Sequence, residues 1–406
     1  MDGAARADSL RGFPVSQSYL ENAIRSRDLP RLRAHAWDVF AEMTKYSRVV
    51  PGSPVWQTWP LKSRVLSPTF RPGARFTLYP HEEKLSRVPA AITLFDEIRF
   101  NPAACNEIRR SRLFSTAVLD ALASRPSPGK LNLPDDSITV KTRWMVLPKN
   151  QCRNLPVWDY KVDRNLVPDL DGFSSIFWPN AVQVCESATA IRIPNIPEVS
   201  LARFFSIPLS TFSSTELSLL NAEWEKAQAF KKPGIATPEK ADSGGLALAV
   251  GFHFTTREMP DWFWATLWWH PSPEQAPFGH DRPARRFQDT RWLNYLLDIS
   301  VDMDWPEEGN AQPNSVFNPY LELQLRDGNK SNCMTCHARA FWRADSMTCK
   351  TPLLDYLPFG GYITWSKHDF LKCPEPRQND TPNPGFDPAT KLFVDFVWSL
   401  ATPLTP

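Results

Sequence analysis

Apolar residues at helical spacing mark the beginning of the chain. In residues 17–45 this pattern continues on both sides of Pro30, and a proline inside a helix removes a backbone hydrogen bond and ends or kinks the helix. We therefore predict a helical hairpin that breaks near Pro30. His35 within it is interpreted as a packed or capping residue.

Residues 213–230 show the clearest helical pattern in the chain. Ser214 is predicted as the N-cap, because a serine side chain can accept a hydrogen bond from a backbone N–H of the first turn. The apolar residues of this helix share one face: Leu217, Leu220, Trp224 and Ala227. Helical spacing also predicts a helix in residues 291–303, and residues 90–114 have mixed helical character.

Strand patterns begin near residue 138. Residues 138–147 alternate between apolar and polar side chains, and residues 155–162 and 180–186 predict two further short strands. Residues 246–256 are almost continuously apolar, which is typical of a strand at the centre of a sheet. Helices and strands together predict an α+β fold, and 39 proline residues indicate long ordered loops between short elements.

One charged segment that contains Pro and Gly, residues 231–245, is predicted to be a linker or an exposed loop. It divides the chain into an N-terminal region, residues 1–230, and a C-terminal region, residues 246–406. The first would hold the helical hairpin and mixed α/β elements, and the second the candidate cofactor site described below. A single compact unit formed by both regions is the alternative.

Charge and hydropathy exclude several classes of partner. The 406 residues carry 46 basic and 44 acidic side chains, so no overall field would attract the protein to nucleic acid or to an anionic membrane. No run of 18 apolar residues is present, and we expect no membrane span. Most of the 16 tryptophans are expected to pack in the core.

The motif with the most specific chemistry is C-x-x-C-H, formed by Cys333, Cys336 and His337. With 7 Cys and 7 His in the chain, chance would produce roughly 0.002 such patterns. Within a helical turn, two thiols at this spacing can bond the edge of a porphyrin while the neighbouring imidazole binds its iron. The motif therefore predicts one covalent haem c near the C-terminus.

Two other interpretations of the same cysteines stay open. Cys349 and Cys373 would complete a four-cysteine zinc site with Cys333 and Cys336, but they lie 24 positions apart and would leave His337 without a role. A thioredoxin-like dithiol is disfavoured, because the preceding residues indicate a turn and not a strand.

The sixth iron ligand decides whether a haem transfers electrons or reacts with a substrate. His253 and His270 are the favoured candidates, because a remote segment can close over the open face of the haem. Met347, ten residues after His337, is a weaker candidate because a continuing helix would carry it about 15 Å along the axis. Other possibilities are an empty position or one of three residues: Met145, Met259 and His368.

The remaining cysteines suggest disulfides. Cys152 with Cys185 and Cys349 with Cys373 are plausible pairs by their proximity in sequence, which leaves Cys105 unpaired. The alternative is that all five are small buried residues.

Five segments, taken in their order, resemble a group of large bacterial single-haem c-type cytochromes along most of the chain. They are "LRAHAWDVFAEMT", "PVWQTW", "VKTRWMVL", "GFHFTTREMPDWFWATLWWH" and "NPYLELQLRDGNKSNCMTCHARA". Only the C-x-x-C-H motif is specific by itself.

The resemblance implies thioether bonds at Cys333 and Cys336 and proximal ligation by His337. It also singles out His253 and His270, because relatives tend to carry histidines in those two settings. An acidic residue commonly precedes the later histidine in such proteins, whereas Trp269 precedes it here. The resemblance therefore does not carry a proton-transfer role to that position.

These observations predict a soluble c-type cytochrome that transfers single electrons to or from a redox partner protein. The alternative functions are a peroxidase-like haem oxidoreductase with an open sixth site and a zinc-binding module without haem. Haem c is attached outside the cytoplasmic membrane in the proteins that this chain resembles, so a periplasmic location is expected. Residues 1–20 show no secretory signal, and we expect that a leader was trimmed or that the true start lies upstream.

Overall fold

The structure is a computed structural model, and its elements come from the parts of the chain that it describes. The described residues are 8–67, 94–159, 180–192, 194–229, 241–301, 316–321, 333, 337, 340–342, 392–395 and 397–401, with only the backbone described at 223–229, 398 and 401. The helices are α1 Gln17–Arg25, α2 Leu29–Thr44, α3 Lys62–Val65, α4 Pro102–Arg110, α5 Thr116–Ala123, α6 Ser214–Ala229 and α7 Trp398–Ala401. The strands are β1 Leu94–Phe100, β2 Ile138–Leu147, β3 Cys152–Val157, β4 Asn180–Cys185, β5 Ser206–Pro208, β6 Leu246–Thr256, β7 Phe263–Trp269 and β8 Tyr295–Ser300.

The predicted helical hairpin is confirmed as α1 and α2. The Ser16 side chain accepts a hydrogen bond from the backbone N–H of Tyr19 at the start of α1, and Asp28 caps α2 in the same way. Pro30 lies in the first turn of α2, where no intrahelical N–H is required. His35 is buried in α2, as a packed residue should be.

Six antiparallel strands form the main sheet in the order β1-β2-β6-β7-β8, with β5 paired to the first residues of β6. The predictions for residues 138–147 and 246–256 are confirmed as β2 and β6, and β6 lies at the centre. Strands from before and after residues 231–245 therefore belong to one sheet. Residues 231–240 lie outside the described residues, and 241–245 form the turn that leads into β6.

Side chains alternate between the two faces of this sheet, and residues that are directly opposite on antiparallel strands share a face. One face, called the aromatic face here, carries Phe95, Phe252, Phe254 and Leu267 and packs against α2. Phe40 of α2 lies at its centre, with ring centroids 5.6 Å from Phe252 and 6.5 Å from Phe254. The α+β class is thus confirmed as helices on an antiparallel sheet.

The opposite face is called the polar face here. It carries Asp96 of β1, Lys141 and Arg143 of β2, His253 of β6 and Trp264 of β7. Its assignment follows from the register, which sets Asp96 opposite Arg143 and Lys141 opposite His253. A second apolar cluster, which includes Cys333, packs around Trp264.

Two helix predictions were wrong because tertiary pairing overrode local spacing. Residues 291–303 contain a short 3-10 helix, Thr290–Asn294, followed by strand β8. The described part of residues 90–114 begins at residue 94 with strand β1 and becomes helical only at α4. In both cases, strand pairing in the main sheet satisfies the backbone and buries side chains on both faces, which an isolated sequence window does not reveal.

The N-cap of α6 is Ser213 and not the predicted Ser214. The Ser213 hydroxyl accepts a hydrogen bond from the N–H of Glu216, and the Glu216 carboxylate accepts one from the N–H of Ser213. This reciprocal pair is a capping box, which places the helix start one residue earlier than the serine chosen from the pattern.

A separate two-stranded sheet joins β3 to β4, and Cys152 lies opposite Cys185 in its register. The two cysteines form a disulfide, as their sequence proximity suggested. The strand predicted at residues 155–162 begins earlier, at Cys152, and ends at Val157. The strand predicted at residues 180–186 is confirmed as β4.

Among the described residues, no helix combines the length and the apolar character needed to cross a bilayer.

Candidate functional site

His253 is a residue of the polar face with a buried nitrogen that has no hydrogen-bond partner among the described residues. It lies in the middle of β6, between Lys141 of β2 and Thr266 of β7. The residue is partly exposed, but its Nε2 atom is buried and has no hydrogen-bond partner among the described residues. An unpaired polar atom in a buried position costs free energy. In a native structure such an atom can mark the position where a ligand, an ion or a water molecule binds.

His253 and His337 lie on the same side of the sheet, because the ring of His337 contacts Trp264, which shares the polar face with His253. Burial holds the pKa of His253 well below its ordinary value, and the positive charges of Lys141, His337 and Arg143 lower it further. The neutral imidazole, whose unprotonated nitrogen has a free lone pair, is therefore the favoured form. The fold thus brings the histidine of the C-x-x-C-H motif near a histidine that is 84 positions earlier in the chain.

The described part of the motif lies against β7 and an apolar cluster. The ring centroid of His337 is 4.4 Å from that of Trp264, with the ring planes inclined at 53°. Cys333 is buried in the cluster that contains Trp264, Val316 and Trp342. These surroundings are of the apolar, aromatic kind that commonly line a site for a flat organic cofactor.

Three charged side chains lie beside His253 on the polar face. Asp96, which is fully buried, has its carboxylate oxygens 3.0 Å from Lys141 Nζ and 2.6 Å from Arg143 Nε. The contacts are ion pairs by distance, although neither carboxylate oxygen makes a well-aligned hydrogen bond. Arg143 also donates to the carbonyl of Leu321 at 3.2 Å. A buried carboxylate with cationic partners maintains a strong local field next to His253.

Residues 316–321 are anchored to the same face by one asparagine. The Asn318 amide donates hydrogen bonds to Thr266 Oγ1 at 2.8 Å and to the Leu267 carbonyl at 2.9 Å. Its Oδ1 accepts from the N–H of Tyr320 at 3.0 Å. This close approach depends on Gly251, because a Cβ at that position would lie 3.1 Å from Asn318 Oδ1.

His270, the other histidine favoured from the sequence, lies elsewhere. It follows the last residue of β7, six positions beyond Trp264, which corresponds to about 20 Å of strand. Its Nδ1 atom lies 3.0 Å from both the backbone nitrogen and the carbonyl oxygen of Ser272, so it accepts from the N–H in one tautomer and donates to the carbonyl in the other. Burial lowers the pKa of His270, whereas a backbone hydrogen bond at Ser272 and the charge of Asp159 raise it, and the charge of His337 is not among the causes.

The remaining candidates are placed as follows. Met145 and Met259 pack in the large core cluster together with the aromatic face and not with Cys333. Cys336 and Met347 lie outside the described residues, as do His368, Cys349 and Cys373. Cys105 has a free thiol. The described residues contain no group of three or more His, Cys, Asp or Glu side chains that could hold a metal ion.

Sequence reasoning missed the charged part of the site. Asp96 was read as part of a segment with helical character, and Lys141 and Arg143 were not singled out. Their spacing does contain a signal: residues 141 and 143 are two positions apart in a predicted strand and must therefore share a face. Two cations on one face of an interior strand indicate a buried counter-charge.

No protein-family model, curated protein or solved structure was found to match this chain.

Proposed function

We propose that this protein is a c-type cytochrome that binds one covalent haem c and transfers single electrons. In this proposal Cys333 and Cys336 would form the thioether bonds, and His337 and His253 would hold the iron, His337 as the proximal ligand. The observation that carries the proposal is the buried Nε2 atom of His253, which has no partner among the described residues and lies within electrostatic reach of His337.

The surrounding residues fit such a group. Cys333 is buried in an apolar cluster, and the rings of Trp264 and His337 are in contact, so this side of the sheet offers a wall that excludes water. A bound haem c supplies a one-electron iron couple whose potential depends on its axial ligands and on burial. The protein would hold the two imidazoles at fixed positions and keep solvent away from them.

The choice of His253 over His270 favours electron transfer over peroxidase-like catalysis. A second imidazole bound to iron leaves no open position for peroxide. Both histidines have a buried Nε2 atom without a partner among the described residues. His253 is favoured because the charge of His337 acts on it, whereas His270 follows the end of β7 and the charge of His337 is not among the causes of its pKa shift.

The disulfide between Cys152 and Cys185 supports the proposed location outside the cytoplasm. Disulfides form and persist mainly in oxidising compartments such as the periplasm, where a haem c would also be attached. A redox partner protein is then the expected source or acceptor of the electron.

The decisive experiment is expression together with a c-type haem maturation system, followed by intact mass and visible spectroscopy. The wild-type protein should gain the mass of one haem and give a low-spin ferric spectrum that cyanide and peroxide leave unchanged. The double variant Cys333→Ala/Cys336→Ala should lose the covalent haem. Cys105→Ala, which removes a cysteine outside the motif, is the matched control and should retain it.

Other outcomes would select the alternatives. A high-spin ferric protein that binds cyanide and reacts with peroxide would support the haem oxidoreductase. A colourless protein that contains zinc and unfolds with a chelator would support the zinc-binding module. Wild-type protein without haem under maturation conditions would refute the cytochrome proposal.

A further inference from the structure

Lys62 is a partly buried lysine that has no anionic partner among the described residues. Four partly buried lysines have described side chains: Lys45, Lys62, Lys130 and Lys141. Lys45 pairs with Glu42, Lys130 with Asp395 and Lys141 with Asp96. Lys62 makes no hydrogen bond or ion pair through its side chain with any residue that the structure describes.

The backbone places Lys62 next to the charged part of the polar face. Lys62 begins α3, and the preceding residue, Leu61, forms an isolated bridge with Arg99 of β1. The neighbour of Arg99 on β1 is Ile98, which lies opposite Lys141 in the register. Lys62 and Lys141 therefore approach the same part of the sheet from two different segments.

No acidic side chain among the described residues pairs with the ammonium group of Lys62. Burial lowers the pKa of Lys62 to about 8, and the charge of Lys141 contributes to the same shift. Asp96, the buried carboxylate of this face, contacts Lys141 and Arg143 and not Lys62. An ammonium group that is removed from water and placed near a like charge is unfavourable, unless an anion accompanies it.

A haem carries two propionate carboxylates on one edge of its ring, and these are anions of the kind that Lys62 lacks. Lys141, which lies opposite His253, connects the position of the proposed iron ligand to the position of Lys62. We propose that Lys62 binds a propionate carboxylate of the haem on the polar face, beside Lys141. This inference rests on the proposed function, because it requires a haem at His337 and His253.

The test compares three variants of the haem-loaded protein: Lys62→Gln, Lys62→Arg and Lys149→Gln. Lys149 is an exposed lysine and supplies the matched loss of one positive charge. The readouts are the reduction potential and the propionate bending mode in the resonance Raman spectrum. The second reports on the carboxylate directly and would not respond to a general loss of stability.

We expect Lys62→Gln to shift the propionate mode and to favour the oxidised haem about tenfold at a fixed potential, which corresponds to a decrease of about 59 mV. The direction follows because removal of a nearby positive charge stabilises the more positive ferric state. Lys62→Arg should keep the potential near the wild-type value but still shift the mode, since a guanidinium binds a carboxylate with different geometry. Lys149→Gln should change neither.

An unchanged propionate mode in both Lys62 variants would overturn the inference, even with haem bound. If Lys62→Gln does not fold or mature, the mode of Lys62→Arg alone decides, because that variant retains the charge. Failure of the proposed function would look different: the wild-type protein itself would contain no haem.

Discussion

The two faces of the central sheet use the same strands for opposite purposes. On the aromatic face, Phe40 of α2 packs edge-on against Phe252, Trp292 and Tyr295 with centroid separations of 5.6, 5.8 and 6.2 Å. On the polar face, the next residue along β6 is His253, with a buried nitrogen that lacks a partner among the described residues. The first face gains stability from dispersion and the exclusion of water. The second retains buried polar groups at a cost in stability, which is typical of sites that bind a ligand or perform chemistry.

That contrast predicts that substitutions on the two faces change different observables. A substitution on the aromatic face should lower the free energy of unfolding and leave the coordination of the proposed haem iron unchanged. A substitution at His253 should change the coordination more than the stability, because it removes a polar atom that has no partner in the described part of the protein.

The largest expected effect is at His253. His253→Ala should convert the low-spin ferric haem into a high-spin form that binds cyanide, because one of the two proposed imidazole ligands is lost. Absorption and electron paramagnetic resonance spectra of the haem-loaded variant measure the change. His270→Ala is the control and should remain low-spin. The opposite result, with His270→Ala high-spin and His253→Ala unchanged, would reverse the assignment.

The aromatic face should give the largest change in folding stability. Phe40→Ala removes a fully buried ring, and we expect the free energy of unfolding to fall by about 3–5 kcal/mol. Denaturant titration of the haem-loaded protein measures this loss, and the visible spectrum before unfolding should match the wild type. Leu219→Ala, at a side chain that is 39% exposed, should stay within about 0.5 kcal/mol. A spectral shift in Phe40→Ala would show that the two faces are not independent.

The disulfide lies outside the main sheet and should contribute somewhat less. Cys152→Ser/Cys185→Ser opens a link between residues that are 33 positions apart, and loop-closure entropy predicts a loss of about 2–4 kcal/mol. Thermal unfolding with and without a reductant measures it. The reductant should lower the melting temperature of the wild type and have no further effect on the double variant. Equal sensitivity of both proteins would show that the reductant acts elsewhere.

The smallest expected effect is the contribution of His270 to the loss of folding stability at acidic pH. Burial lowers its pKa from 6.5 in the folded protein, so the unfolded chain takes up the proton first as the pH falls. The stability that this neutral histidine contributes is complete above pH 6.5 and is lost as the pH falls through its folded-state pKa. His270→Asn, whose side-chain oxygen can still accept from the Ser272 N–H, should show a shallower loss of stability in acid. An identical pH dependence in both proteins would contradict this account.

The sequence predicted those elements that carry their own signal. β2 and β6 were located correctly, because alternation and a continuous apolar run are read from neighbouring residues. The segment of β8 was predicted as a helix, because the spacing of its apolar residues fits both a helix and a strand. Only its pairing with β7 distinguishes the two.

In the candidate site too, some residues can be identified from the sequence and others only from the fold. The motif of Cys333, Cys336 and His337 is visible in the sequence, because its three residues act within one turn of the chain. His253 and His270 could not be separated, since each is a histidine in an apolar segment and nothing local tells which one approaches His337. Lys62 could not be identified from the sequence. Only the fold determines which charged residues surround its ammonium group.

The amino-acid sequence by itself determined the α+β class, the helical hairpin, the central strand and the C-x-x-C-H motif on which the haem proposal depends. Each of these depends on interactions between residues close together along the chain. Only the tertiary structure decided which histidine stands near the motif and which face of the sheet gathers Asp96, Lys141 and Arg143. Strand register sets these neighbours, and register results from packing and hydrogen bonds between segments that are far apart in the chain, such as β1 with β2 and β2 with β6.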